Sequence, residues 1–220
     1  MPESLRASLD FLRDLRDNND KPWFDANRSR YDKARASFES FVTELILEIG
    51  TFDDMTGVSA KDCIYRINRD VRFSPNKTPY KTNFGAVIGQ GGRKGTGRSY
   101  YMQLEPDGKS FLAGGIYMPT PQDLDKVRRK IVAKGAEFRK ILNAKDFKQY
   151  FGKLEGTALK TAPKGYAKDH PDIELLRHTQ FLVSHELSDE KLLSPDLTAH
   201  VIAVFKAMKP FEAYLKSALE

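Results

Sequence analysis

The sequence predicts an α+β fold: one domain over residues 1–220, an antiparallel meander sheet packed by N-terminal and C-terminal helices. Three observations predict it. Apolar residues recur at helical spacing up to Gly50 and again from Pro121 onward. The stretch between them shifts to runs of strand type. The connections between those runs are too short for parallel crossovers.

The elements follow in order. Residues 4–17 form an amphipathic helix that Ser4 can cap, with Leu5, Leu9, Phe11, Leu12 and Leu15 as its stripe. Pro22 suits the first turn of a second helix, where Trp23, Phe24, Asn27 and Tyr31 share a face. A long helix then carries Phe38, Phe41, Val42, Leu45, Ile46 and Ile49 inward and stops at Gly50. Residues 63–67, 84–88, 99–104 and 109–117 read as strands, the last two joined by the tight turn Pro106-Asp107-Gly108. Pro121 opens a long helix, 145–151 a short one, and 153–161 a strand or hairpin. A short helix at 171–177, a strand at 181–187 and a final helix from about 195, kinked at Pro210, complete the chain.

The chain has 220 residues and a formal charge of +6, and this charge is concentrated. Nine cations between Lys61 and Arg98 face only Asp62 and Asp70, so the remainder is close to neutral. A basic balance favours phosphates, nucleic acid or anionic metabolites. The single cysteine, Cys63, excludes an intramolecular disulfide and a thiolate metal cluster. No run reaches the ~20 apolar residues of a membrane span and the N-terminus lacks a signal-peptide pattern, so a cytoplasmic location is expected.

Residues 66–83 hold the densest chemistry. Arg66, Arg69, Arg72, Lys77 and Lys81 surround Asp70, with turns at Pro75 and Pro79. Read as a strand, the segment puts Arg66, Asn68, Asp70 and Arg72 on one face and Ile67, Val71 and Phe73, with Arg69, on the core side. Guanidiniums facing one way make bidentate bonds to phosphate or carboxylate. The competing reading is an Arg–Asp lattice that pins the loop. Five cations with one local acid favour the anion site.

The pattern Arg66-x-x-Arg69-Asp70-x-Arg72-Phe73-x-x-x-Asn76-Lys77-x-x-Tyr80 resembles the signature of a bacterial and fungal family named domain of unknown function 2461. The stretches from Trp23 to Tyr31 and from Pro163 to Arg177 are similar to the same family. The resemblance covers nearly the whole chain. It implies a single-domain protein of this length and brings no activity with it.

Other candidates are weighed against plainer readings. The glycine-rich loop 89–98 fits neither a P-loop nor a dinucleotide fingerprint, so it reads as a hairpin tip whose Arg93, Lys94 and Arg98 can touch phosphates. In 163–177, Lys164, Tyr166, Asp169 and His170 surround a turn at Gly165. Asp169 or His170 suits helix capping, and His170 also suits a general base whose tautomer Asp169 or Asp70 fixes. No histidine spacing matches a metal site and no nucleophile elbow occurs, so neither metal nor cofactor is expected. The leading expectation is an anionic small molecule held by Arg66, Arg69, Arg72, Lys77, Tyr80, Lys164 and Tyr166, with Asp70 or His170 moving a proton if a reaction follows. The alternative is a nucleic-acid-binding module that uses the basic loop and stacks bases on Tyr100 and Tyr101.

Overall fold

The computed structural model describes residues 5–95 and 99–220. Four strands, β1 (Phe84–Gly89), β2 (Ser99–Leu104), β3 (Ser110–Ile116) and β4 (Phe181–Leu187), form one antiparallel meander in that order. The α+β class is the one the sequence predicts. Phe84 lies opposite Leu104, and Val87 opposite Tyr101. This register puts Phe84, Ala86, Ile88, Tyr100, Met102 and Leu104 together on a fully buried face. Asp107 and Gly108 take left-handed backbone angles in the turn between β2 and β3.

The chain divides into two compact units, Met1–Leu112 with Glu186–Ala203, and Ala113–His185 with Val204–Glu220. The first contains α1 (Arg6–Asp17), α2 (Lys21–Ala26), α3 (Arg28–Ile49) and α4 (Ala60–Cys63) ahead of β1. All five residues of the predicted α1 stripe are buried. The expected Ser4 cap lies outside the described residues. Asp20 caps α2 by accepting from the Trp23 N–H at 2.8 Å, with Pro22 in the first turn. Asn27 separates α2 from α3 and donates its amide to the Trp23 carbonyl. Trp23 and Tyr31 lie against Phe11, and Phe38 stacks on Phe84 at 5.5 Å.

The strand expected at 63–67 is absent. One helical turn, α4, ends at Cys63, and the chain then meets β1 at the single bridge between Ile64 and Ala86. Ser59 caps that turn through the Asp62 N–H, which outweighs the strand propensity of the apolar residues after it.

The second unit contains α5 (Pro121–Leu142), α6 (Lys145–Phe151), α7 (Ile173–Leu176) and most of the last helix, α9 (Leu197–Leu219); the short α8 (Asp189–Leu192) belongs to the first. Its core is aromatic: Phe138 stacks on Tyr214 at 4.4 Å and on Phe211 at 6.0 Å, with Phe181 edging in at 6.3 Å. Pro210 is accommodated inside α9. The strand or hairpin expected at 153–161 is reduced to two bridges, Glu155 with Leu182 and Ala158 with His178.

The helical geometry of α5 breaks at Lys134, where φ is −138° and ψ is 34°. At the next residue the buried Asp172 carboxylate approaches so closely that a Cβ on Gly135 would collide with Asp172 Oδ2. The Arg139 guanidinium, one turn further on, pairs with that carboxylate. A glycine at 135 is what lets a charged side chain dock against this helix.

Candidate functional site

Residues 64–81 leave the helical turn, run beside β1 and return. The Tyr65 N–H donates to the Gly85 carbonyl at 2.9 Å. The Arg69 N–H donates to Pro79 O and the Lys81 N–H to Ile67 O, at 2.9 and 2.8 Å, so the bridge between Asn68 and Tyr80 closes the loop at its base. Asn19 fixes that base from outside: its Oδ1 accepts from the Tyr80 N–H and its Nδ2 donates to the Tyr80 carbonyl, both at 3.0 Å. The Tyr80 ring stacks on Phe24 at 4.0 Å. Tyr80 is therefore buried and anchors the motif to the helices.

Within the loop the five cations divide into two sorts. The half-buried Arg69 guanidinium donates to Thr78 O at 3.2 Å, to Thr78 Oγ1, and to Ser74 Oγ at 3.3 Å. Lys77 Nζ donates to Val71 O at 2.9 Å, and Asn76 Oδ1 accepts from the Thr78 N–H at 2.9 Å. Arg72 grips Asp70 with Nε at 3.0 Å and Nη2 at 2.7 Å. These bonds from Arg72, with a lesser influence from Arg66, hold the Asp70 carboxyl below its usual range. A carboxylate so stabilised is a poor proton acceptor.

The remaining two, Arg66 and Lys81, make no side-chain hydrogen bond or ion pair with any described residue. Arg66 is exposed. Lys81 is half-buried, and its ammonium lies 5.1 Å from the Tyr65 ring centroid. Burial, and then the Arg66 charge, push Lys81 below its ordinary value. Beside them on the outward face of β1 and β2, Tyr101 donates to Gln103 Oε1 at 3.0 Å, and Gln103 donates to Glu105 Oε2 at 2.7 Å. Gly85 makes room for this chain, since a Cβ there would lie 2.8 Å from the Tyr101 hydroxyl. Burial, aided by Tyr65 and Glu105, pushes the Tyr101 phenol up to about 12.

Several expectations for this region are corrected. Because 66–73 is a loop and not a strand, its alternation fails: Phe73 is 93% exposed at the loop, with the Arg72 guanidinium 5.8 Å from its ring. Tyr100 is fully buried and donates to Asp53 Oδ2, so it offers no stacking platform. Arg93, in a short 3₁₀ turn at Gly92–Lys94, is committed to the Asp62 and Ile64 carbonyls, both at 2.8 Å. Arg98 lies outside the described residues.

Lys164, Tyr166 and His170 belong to the second unit. Gly165 takes a φ of +89° in the turn that the Tyr166 N–H closes onto Pro163 O. Neither Asp169 nor His170 is the N-cap residue of α7; that position is Asp172, without a side-chain cap bond. His170 Nδ1 instead accepts from the Asp172 N–H at 3.0 Å, which serves the turn, puts the neutral ring's proton on Nε2 and engages the lone pair that a general base would use. Asp169 makes no hydrogen bond with any described residue, so it does not fix that tautomer.

Beside Tyr166 lies Arg128, which the sequence reading passed over. It donates to the carbonyls of Leu176 at 2.9 Å and His178 at 3.3 Å. Its signal was present: residue 128 falls on the apolar stripe of α5, between Leu124 and Ile131. Burial lowers the affinity of Arg128 for its proton and raises that of the Tyr166 phenol.

Among the described residues no group of three or more His, Cys, Asp or Glu could hold a metal ion, and no helix is long and apolar enough to cross a membrane. Cys63 is buried, and burial pushes its thiol up. Residues 7–214 match the model of a family described as conserved hypothetical protein (DUF2461). No curated protein and no solved structure matches the chain. The chain belongs to the DUF2461 family.

Proposed function

We propose that the protein binds a small molecule bearing a phosphate or carboxylate at the outward face of β1, with Arg66 and Lys81 supplying the positive charge. One observation carries this reading. Arg69, Lys77 and Arg72 spend their donors on the loop and on Asp70, whereas two neighbouring cations, Arg66 and Lys81, have no acid bonded to them. Like charges held together on a partly desolvated surface are stabilised by an incoming anion. Tyr65 and Tyr101 supply apolar ring surface for the rest of the ligand, and Gln103 supplies an amide. In this reading the stapled loop is scaffold, and Lys164, Tyr166 and His170 are not required.

The test is a thermal-shift and calorimetric screen against inorganic phosphate, pyrophosphate, oxalate, citrate and a short oligonucleotide. A ligand at about 100 times its dissociation constant adds about 2.7 kcal/mol of stability. Arg66→Ala is expected to abolish that gain while changing the stability of the free protein by less than about 0.5 kcal/mol, because Arg66 is an exposed side chain that bonds to nothing described. A ligand whose gain survives both Arg66→Ala and Lys81→Met overturns the assignment. Binding to the oligonucleotide alone, with an affinity falling along a log–log line in salt, would favour the nucleic-acid reading.

A further inference from the structure

Lys81 is one of the few lysines among the described residues that are half-buried; most are exposed. Lys21, Lys191 and Lys216 pair with carboxylates, and Lys77 and Lys126 donate to carbonyls. Lys130 also loses proton affinity to burial and to Lys134 and lies 4.6 Å from the Tyr214 ring centroid, yet it donates to Ser217 Oγ and has Glu137 and Glu220 near enough to restore part of that affinity. Lys81 has no hydrogen-bond acceptor among the described residues, and burial and the Arg66 charge lower its proton affinity, while the Tyr65 ring 5.1 Å from the ammonium offsets this in part. Its backbone is fixed through Ile67 O, next to the anchored Tyr80. A primary amine on a rigid base, partly out of water and beside a second cation, releases its proton more readily than an exposed lysine, which raises its share of nucleophilic free base.

We propose that the Lys81 amine forms an imine with a small aldehyde or α-keto acid whose carboxylate is held by Arg66. The inference rests on the anion-binding reading above and adds a covalent step to it. The neutral Nζ lone pair attacks the carbonyl carbon, and the carbonyl π electrons move to oxygen, which takes up a proton. The carbinolamine then loses that oxygen as water, using the second proton of the amine, and leaves a C=N bond. One amine and one carbonyl give one imine and one water, with no oxidant or reductant. Arg66 contributes twice, by positioning the acid and by favouring the uncharged amine. Asp70 feels the Arg66 charge but is bonded through both oxygens to Arg72, not to Arg66.

The experiment is reductive trapping of the full-length protein with glyoxylate and cyanoborohydride at neutral pH, followed by peptide mapping of the carboxymethylated lysines. Lys81 is expected to react about tenfold faster than Lys130 or any surface lysine. Arg66→Ala is expected to remove most of that lead. Labelling spread evenly over the lysines, or a Lys81 lead unchanged in Arg66→Ala, overturns the proposal. Calorimetry with oxalate, which has the carboxylates but no reactive carbonyl, separates the two claims. Oxalate binding that depends on Arg66 without selective labelling leaves the anion site standing and removes the imine; loss of both removes both.

Discussion

Arg139→Ala is expected to destabilise the protein by about 3 kcal/mol, the largest single effect we anticipate outside the apolar core. Asp172 is only 7% exposed, and Arg139 is the cation paired with it. Removing the guanidinium leaves a buried carboxylate without its counter-charge. The cost falls toward the lower end of the range for such changes, because Arg139 itself is half-exposed and water can follow. Urea unfolding measures it. The pair as a whole is worth much less than this loss, so Arg139→Met combined with Asp172→Leu should recover most of the stability. A loss below about 1 kcal/mol for Arg139→Ala would mean that Asp172 is already solvated.

Arg69→Ala is expected to cost about 2 kcal/mol and to loosen the whole of 67–81. Three acceptors, two on Thr78 and one on Ser74, lose a charged donor in a half-buried setting. Arg69→Lys should not rescue it, since a single ammonium cannot span the acceptors that the planar fork reaches. Amide exchange across the loop, alongside urea unfolding, measures both consequences. The contrast with Arg66→Ala separates scaffold from site. If Arg69→Ala left stability intact and removed only ligand binding, Arg69 would be a ligand contact, as its place in the motif first suggested.

Much of the architecture was legible because it rests on local patterns. The α1 stripe, Pro22 and Pro121 at helix starts, and the alternation in β2 and β4 all report burial that the elements do carry. The charge concentration at 66–81 was equally legible. Its division into bonded and unbonded cations was not, since that depends on which carbonyls the loop returns to its own side chains. Phe73 misled because period-two reasoning presumes a strand, and the closing bridge at Asn68 ends the strand-like run before it. Asp172 was hidden for the opposite reason: its burial comes from a glycine thirty-seven positions away on another helix. Sequence spacing carries no trace of such an approach.

The two bonds between Asn19 and Tyr80 also set which residues position 19 can accept. A carboxamide donates and accepts from adjacent atoms of one small planar group, and the carbonyl and N–H of Tyr80 require one of each. Aspartate, the same size, brings two acceptors and would set an oxygen against an oxygen. Glutamine keeps the chemistry but extends the reach by a carbon. A half-exposed position in a polar turn would ordinarily be freely variable. Here it is constrained like a position in the core, and a library of variants at residue 19 would be depleted to little beyond asparagine.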